Sequence, residues 1–79
     1  MDQTINIKLF GSLVDLLKQD VIQLNIVQDV NSLKEQLFLH YPILKEKAFA
    51  IAVNQKIIHE NIAIIPNTEI ALLPPFSGG

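Results

Sequence analysis

The chain has 79 residues, 49% of them apolar, and six lysines against eight acids give a formal net charge of −2. That length holds one small domain, and the high apolar share with weak charge excludes a disordered tail. There is no cysteine, which excludes disulfide scaffolds, Cys-based zinc sites and thiol catalysis.

Thr4–Phe10 alternates, with Ile5, Ile7 and Leu9 on one face and Asn6, Lys8 and Phe10 on the other. This predicts a half-buried strand, ended by Gly11. Ser12-Leu-Val-Asp15 has the pattern of a capping box, with Ser12 as N-cap. Leu13, Leu16 and Leu17 follow at i, i+3 and i+4, so a short helix is predicted. Val21–Val27 alternates again, with Ile22, Leu24 and Ile26 inward and Gln23 and Asn25 outward.

A second helix is predicted from Asp29, a good N-cap. Val30, Leu33, Leu37 and Tyr41 fall on one stripe of 3.6 periodicity. Pro42 closes it, because the residue before a proline avoids the helical region. Leu39 points away from the stripe. Ala48–Val53 is the third long strand, with Phe49, Ile51 and Val53 as its core face. Asn54-Gln55 is a hairpin turn, since Asn tolerates positive φ, and Lys56–Ile58 is the short return strand. Ile65-Pro-Asn-Thr-Glu69 is a turn that delivers a last strand, Glu69–Leu73. Pro74 and Pro75 forbid further ladder pairing. Strands dominate and one long helix must cover one face of one sheet, which is an α+β two-layer domain.

Residues able to carry chemistry are few. The six lysines are scattered among acids and there is no arginine, so the basic stripe of a nucleic-acid binder is missing. The longest apolar run, Ala48–Val53, is far short of the roughly 18 residues of a membrane span. The opening Met-Asp-Gln lacks the basic region of a secretory leader, so the expectation is a soluble, cytoplasmic protein. His40 and His59 stand nineteen residues apart with no acid at ligand spacing. His40 is read as flanking the helix core stripe and His59 as a loop residue. The acids are dispersed, and the serines and threonines have no base beside them in any motif. The only internal glycine is Gly11, so no phosphate loop is present. Alone, the chain does not read as an enzyme.

The end of the sequence differs. Pro74-Pro75 stiffens the chain, and Gly78-Gly79 beyond it has no side chains and can pass a narrow channel. The result is a rigid base carrying a slim probe that ends in a carboxylate. With a pKa near about 3.5, that carboxylate is ionised and inert at neutral pH, so chemistry here requires activation by another protein. Leu72-Leu-Pro-Pro-Phe-Ser-Gly-Gly79 resembles the tail of the small, sulfur-carrying subunit of molybdopterin synthase (the MoaD type of the MoaD/ThiS family). Ala52-Val-Asn-Gln55, Ile65-Pro-Asn-Thr-Glu-Ile70 and the strand end Phe10-Gly11 resemble the same family. Asn67 stands where the family often has a turn glycine, and Asn is the next best residue for a left-handed conformation.

The resemblance implies a ubiquitin-like β-grasp fold over residues 1–75, with the first and last strands adjacent and parallel, and a flexible tail over 76–79. It implies that an adenylating enzyme uses ATP and magnesium to turn the Gly79 carboxylate into an acyl adenylate, this chain itself holding no cofactor or metal. Sulfur supplied through a sulfurtransferase then displaces AMP and leaves a thiocarboxylate. Phe76, Ser77 and Gly78 would lie in a channel of the large subunit, within a heterotetrameric synthase. Sulfur would pass to a cyclic pyranopterin monophosphate and build the molybdopterin dithiolene. A docking face is also expected. Phe10 and Leu73 have the opposite parity from the inward residues, and neighbouring first and last strands would set both on the outer sheet face. By analogy with the family Ile57 joins them, with Pro74 and Pro75 at the partner's edge. The rival readings are a sulfur carrier for thiamine thiazole synthesis or tRNA thiolation, a ubiquitin-like modifier joined to target lysines through Gly79, and a plain interaction domain. The two prolines weigh against the thiazole type.

Overall fold

The computed structural model describes residues 3–75. The elements run β1 (Thr4–Leu9), α1 (Ser12–Leu17), β2 (Val21–Asn25), α2 (Val30–His40), a 3-10 helix (Pro42–Glu46), β3 (Ala50–Val53), β4 (Lys56–Ile57) and β5 (Ile70–Leu73). They build one five-stranded sheet in the order β2-β1-β5-β3-β4. β1 and β5 are parallel neighbours at its centre, and every other pairing is antiparallel. This mixed sheet with one main helix across one face is the β-grasp fold.

The alternation in the sequence decides which face is buried. Ile5, Ile7 and Leu9 of β1, Ile22 and Leu24 of β2, Ile51 and Val53 of β3, and Ile70 and Leu72 of β5 all point inward. They meet Val30, Leu33 and Leu37 of α2, whose spacing sets one stripe against the sheet. Leu13, Leu44 and Ile64 close the ends of this core. Among the described residues no polar or charged side chain is buried. The core is therefore held by apolar burial, at about 1.5–3 kcal/mol per large side chain.

Both predicted turns have the expected chemistry. Asn54 and Gln55 both adopt positive φ, at 51° and 72°, the requirement of a type I′ hairpin whose twist matches its strands. Asn54 also ties this hairpin to β5: its amide donates to the Glu69 carbonyl at 2.8 Å and its Oδ1 accepts from the Glu69 amide at 3.0 Å. In the later turn Pro66 precedes Asn67 at φ 70°, and the Thr68 amide donates to the Ile65 carbonyl at 3.2 Å. That is the residue pattern of a type II turn.

Some expectations need correction. Ser12 does not cap α1. It is already helical; Gly11 is the N-cap, and no side chain caps this end. The reason lies in the sheet: the Phe10 amide still bonds the Leu72 carbonyl at 3.1 Å, so the reversal is forced onto Gly11, at φ 59° and ψ −137°. His40 lies exposed in the last turn of α2 rather than against the core. Pro42 does stop α2, but it also occupies the start of the 3-10 helix, the position where a missing amide hydrogen costs nothing. That helix delivers the fully buried Leu44. β3 begins at Ala50 rather than Ala48, because its partner ends at Leu73; Pro74 has no amide hydrogen to extend the ladder. β2 stops at Asn25. Beyond it the chain turns to a single bridge, Asp29 with Ala63, and the Gln28 carbonyl accepts from the Ile64 amide at 2.9 Å.

Candidate functional site

Among the described residues no helix covers the outer sheet face, and the register fixes what it presents. Lys8 pairs with Val21 on one side and Ala71 on the other, Ala71 pairs with Ala52, and Ala52 pairs with Ile57. One row of side chains therefore crosses all five strands. Its centre is low because two adjacent strands offer only alanine methyls. Phe10, Leu73 and Ile57 stand around this floor, and Lys8, Gln55 and Glu69 complete the rim of a shallow depression of about 360 Å³. Phe10 is 47% exposed and Ile57 38% exposed; Leu73 is half-buried. Large apolar side chains left this open, and grouped, form a surface suited to a protein partner.

One edge of the depression is charged. Lys8 Nζ lies 3.5 Å from Glu69 Oε2, with both side chains largely in solvent. Such a pair adds little stability. It sets a polar limit to the apolar floor and offers one charge of each sign to an incoming surface.

The chain leaves this face through Leu73. Pro74 is half-buried and Pro75 exposed. Gly11 lies against Pro74 so closely that a Cβ at residue 11 would stand 2.8 Å from Pro74 Cγ. The turn after β1 and the strand end of β5 thus hold each other, and the direction in which the chain departs is set by that contact. A second groove, lined by Ser12, Leu13, Leu16, Lys47, Ala48 and Pro75, runs beside this exit.

Phe10, Ile57 and Leu73, chosen from parity and resemblance, therefore line one depression, whereas Pro74 packs against Gly11 and Pro75 lines the second groove. Phe76, Ser77, Gly78 and Gly79 lie outside the described residues. Val21, 43% exposed, stands in the same row, a place that parity gives it only once β2 is known to pair with β1. Ala52 and Ala71 could not have been found from sequence, since an alanine becomes a floor only through the larger residues around it. His59 lines a separate cleft with Asn31, Lys34, Glu60 and Asn61. Among the described residues no three His, Cys, Asp or Glu side chains are grouped to hold a metal ion.

Asp29 is fastened by hydrogen bonds on both carboxylate oxygens. Its Oδ1 accepts from the Ser32 amide at 2.9 Å, and its Oδ2 accepts from Asn61 Nδ2 at 3.2 Å. The Ser32 bonds first, then Asn61, hold this carboxyl below its usual range. Asn61 Oδ1 accepts from the Asn31 amide at 2.8 Å, so one loop residue and one cap residue share the amides that open α2. This is a structural fastening of the 59–63 loop, apart from the outer face.

The sequence profile of the ThiS family matches residues 7–79. Three solved structures resemble the chain over nearly its whole length. Small archaeal modifier protein 1 (SAMP1) from Haloferax volcanii is 21% identical, with a TM-score of 0.77, covering 98% of this chain and 100% of that one. SAMP1 from Methanosarcina acetivorans is 22% identical, with a TM-score of 0.77, covering 100% and 99%. At these identities the likeness is one of fold. A chain in the protein–protein complex of subunits 1 and 2 of molybdopterin-converting factor from Helicobacter pylori 26695 is 28% identical, with a TM-score of 0.72, covering 98% and 100%.

Proposed function

Because the chain belongs to the ThiS family of ubiquitin-like sulfur carriers, we propose that it is the sulfur-carrying small subunit of a molybdopterin synthase. The observation that carries this reading is that one strand serves both tasks. β5 contributes Ala71 and Leu73 to the outer-face depression, and the next two residues are Pro74-Pro75, followed in sequence by Phe76, Ser77 and Gly78-Gly79. A partner seated on the face receives the tail beside it. The resemblance to a chain in a complex of two molybdopterin-converting factor subunits supports a larger synthase subunit as that partner.

In this reading the chemistry is done to the chain rather than by it. An adenylating enzyme uses ATP and magnesium: the Gly79 carboxylate attacks the α-phosphorus, pyrophosphate leaves, and an acyl adenylate forms. The persulfide of a sulfurtransferase attacks the acyl carbon and AMP leaves, giving an acyl disulfide; a thiol then attacks the sulfurtransferase sulfur, breaking the S–S bond, forming a new disulfide and leaving a thiocarboxylate on Gly79. The large subunit receives Phe76 to Gly79 in a channel that glycine alone is slim enough to thread to its end. Its own acid, base and anion-binding groups then direct the sulfur to a cyclic pyranopterin monophosphate.

Intact mass of the protein from its native cells tests the reading. A chain ending at Gly79, with one oxygen replaced by sulfur, and a larger synthase subunit retained on purification are expected. Ladders of heavier lysine-linked adducts would make it a modifier. A sulfur-loaded chain retained by a different synthase would move it to another thiolation pathway.

A further inference from the structure

The two edges of the sheet are finished differently. β4 is two residues long and begins with Lys56, and a short, charged edge discourages further pairing. β2 is the other edge. It has five residues, Val21–Asn25, and its register with β1 runs without a bulge. From Val21 to Gln28 the sequence has no charge, no proline and no glycine. The charges, prolines and bulges that commonly protect an edge are thus absent from it.

The ladder also fixes which backbone groups this edge offers. The Leu9 amide bonds the Asp20 carbonyl at 2.8 Å and the Ile26 amide bonds the Gln3 carbonyl at 2.9 Å. The even-numbered residues of β2 therefore spend their amides and carbonyls on β1. By antiparallel alternation the groups of Val21, Gln23 and Asn25 face the other way. Among the described residues no backbone group pairs with them.

We infer that this edge is the seat of a second copy of the chain, with β2 antiparallel to its own symmetry mate. A two-fold axis beside Gln23 sets Gln23 opposite itself and Val21 opposite Asn25. That makes three hydrogen-bonded pairs, each exchanging two N–H···O bonds. The charges allow it. In this register Asp20 meets Ile26 and Lys18 meets Gln28, so no like charges oppose one another. The interface is isologous and closes after two copies. It continues the sheet rather than covering it, so both outer faces lie on one side and both depressions stay open. Five strand spacings then separate the two β5 strands, about 24 Å, and the two chains depart in opposite directions. This assembly does not depend on what the tail carries, so its failure would leave the sulfur-carrier reading as it stands.

Charge exchange at the two-fold axis is the decisive experiment. Gln23 is exposed, and among the described residues its Nε2 donates only to Asn6 Oδ1, at 3.0 Å, so Gln23→Lys and Gln23→Glu should both fold, checked by circular dichroism. Sedimentation velocity of the full chain from about 10 μM to about 1 mM should show a concentration-dependent dimer. Each variant alone should dimerise several-fold more weakly, because like charges then face each other. An equimolar mixture of the two should recover association at or above the unaltered level. Amide exchange at Val21, Gln23 and Asn25 should slow as concentration rises. A chain monomeric throughout, association indifferent to both variants, a mixture that recovers nothing, or a dimer with these three amides unprotected would each overturn the inference. So would a monomeric chain whose same amides are protected only by an extended peptide of another protein.

Discussion

Gly11 combines φ 59° with ψ −137° and lies against Pro74, so two independent penalties guard it. Any side chain meets backbone strain of about 1–3 kcal/mol, and its Cβ also pushes on the ring at the start of the departing chain. Gly11→Ala should lower stability by at least that amount in chemical denaturation, and Gly11→Ala with Pro74→Ala should recover part of the loss. Unchanged stability in the single variant would show that the turn has another conformation available. Asp29 gives a pH-dependent prediction. A carboxyl held below its ordinary value contributes its full stabilisation above that value and loses it as pH falls through the folded-state pKa. Thermal melts from about pH 7 to about pH 2 should therefore decline in the acid range below the usual carboxylate pKa. Asp29→Asn, also a good cap, should keep most of the neutral-pH stability and flatten that decline. At this scale the sequence was readable where one residue's own chemistry decides, as at Asp29 and Asn54. It was not readable at Ser12, where a hydrogen bond from Phe10 to a strand sixty residues away moved the cap to Gly11.

The helix α2 and the sheet explain each other. Val30, Leu33 and Leu37 are 2% exposed or less, and the strand positions they meet are those that alternation marked as inward. Leu37→Ala should cost roughly 2–5 kcal/mol, since the site can collapse only in part. Leu39→Ala, two positions on and 69% exposed, should leave the melting temperature nearly unchanged. Equal effects from the two would contradict the packing. Periodicity made these elements legible because burial on one face needs only one period. Their ends were less so. The start of β3 depends on where β5 stops, and β5 stops because of Pro74; no window around residue 48 contains that information. The 3-10 helix was hidden for another reason: Pro42 reads as a terminator, and the same fixed φ that ends one helix opens the next.

At the scale of the whole molecule, Phe10, Leu73 and Ile57 form one surface only because β1, β5, β3 and β4 lie side by side. Parity and resemblance found the three large residues, while the alanine floor and Val21 needed the register. Phe10→Glu or Leu73→Asp should weaken binding to a synthase large subunit and to an adenylating enzyme, with the fold retained. Calorimetric titration and circular dichroism on the same samples check this, and unaltered affinity for both partners would count against a shared face. For the tail, one alanine appended after Gly79 moves the carboxylate by about 3.5 Å, and a 1 Å error can already cost on the order of 100-fold in rate. ATP-dependent thiocarboxylate formation, followed by intact mass, should be nearly abolished by that extension and less affected by Gly79→Ala. Native-rate loading of the extended chain would refute the carrier role and leave an interaction domain. The parallel pairing of β1 with β5 also has a kinetic side. The strand at the centre of the sheet is the last of the described elements in chain order, and until residues 70–73 pair, β1 and β3 have no common neighbour. Contacts this distant in sequence form slowly. The outer-face depression is complete only once that strand has paired, so under the proposed carrier role a misfolded copy would present no docking face, and completed folding would itself act as the licence for loading.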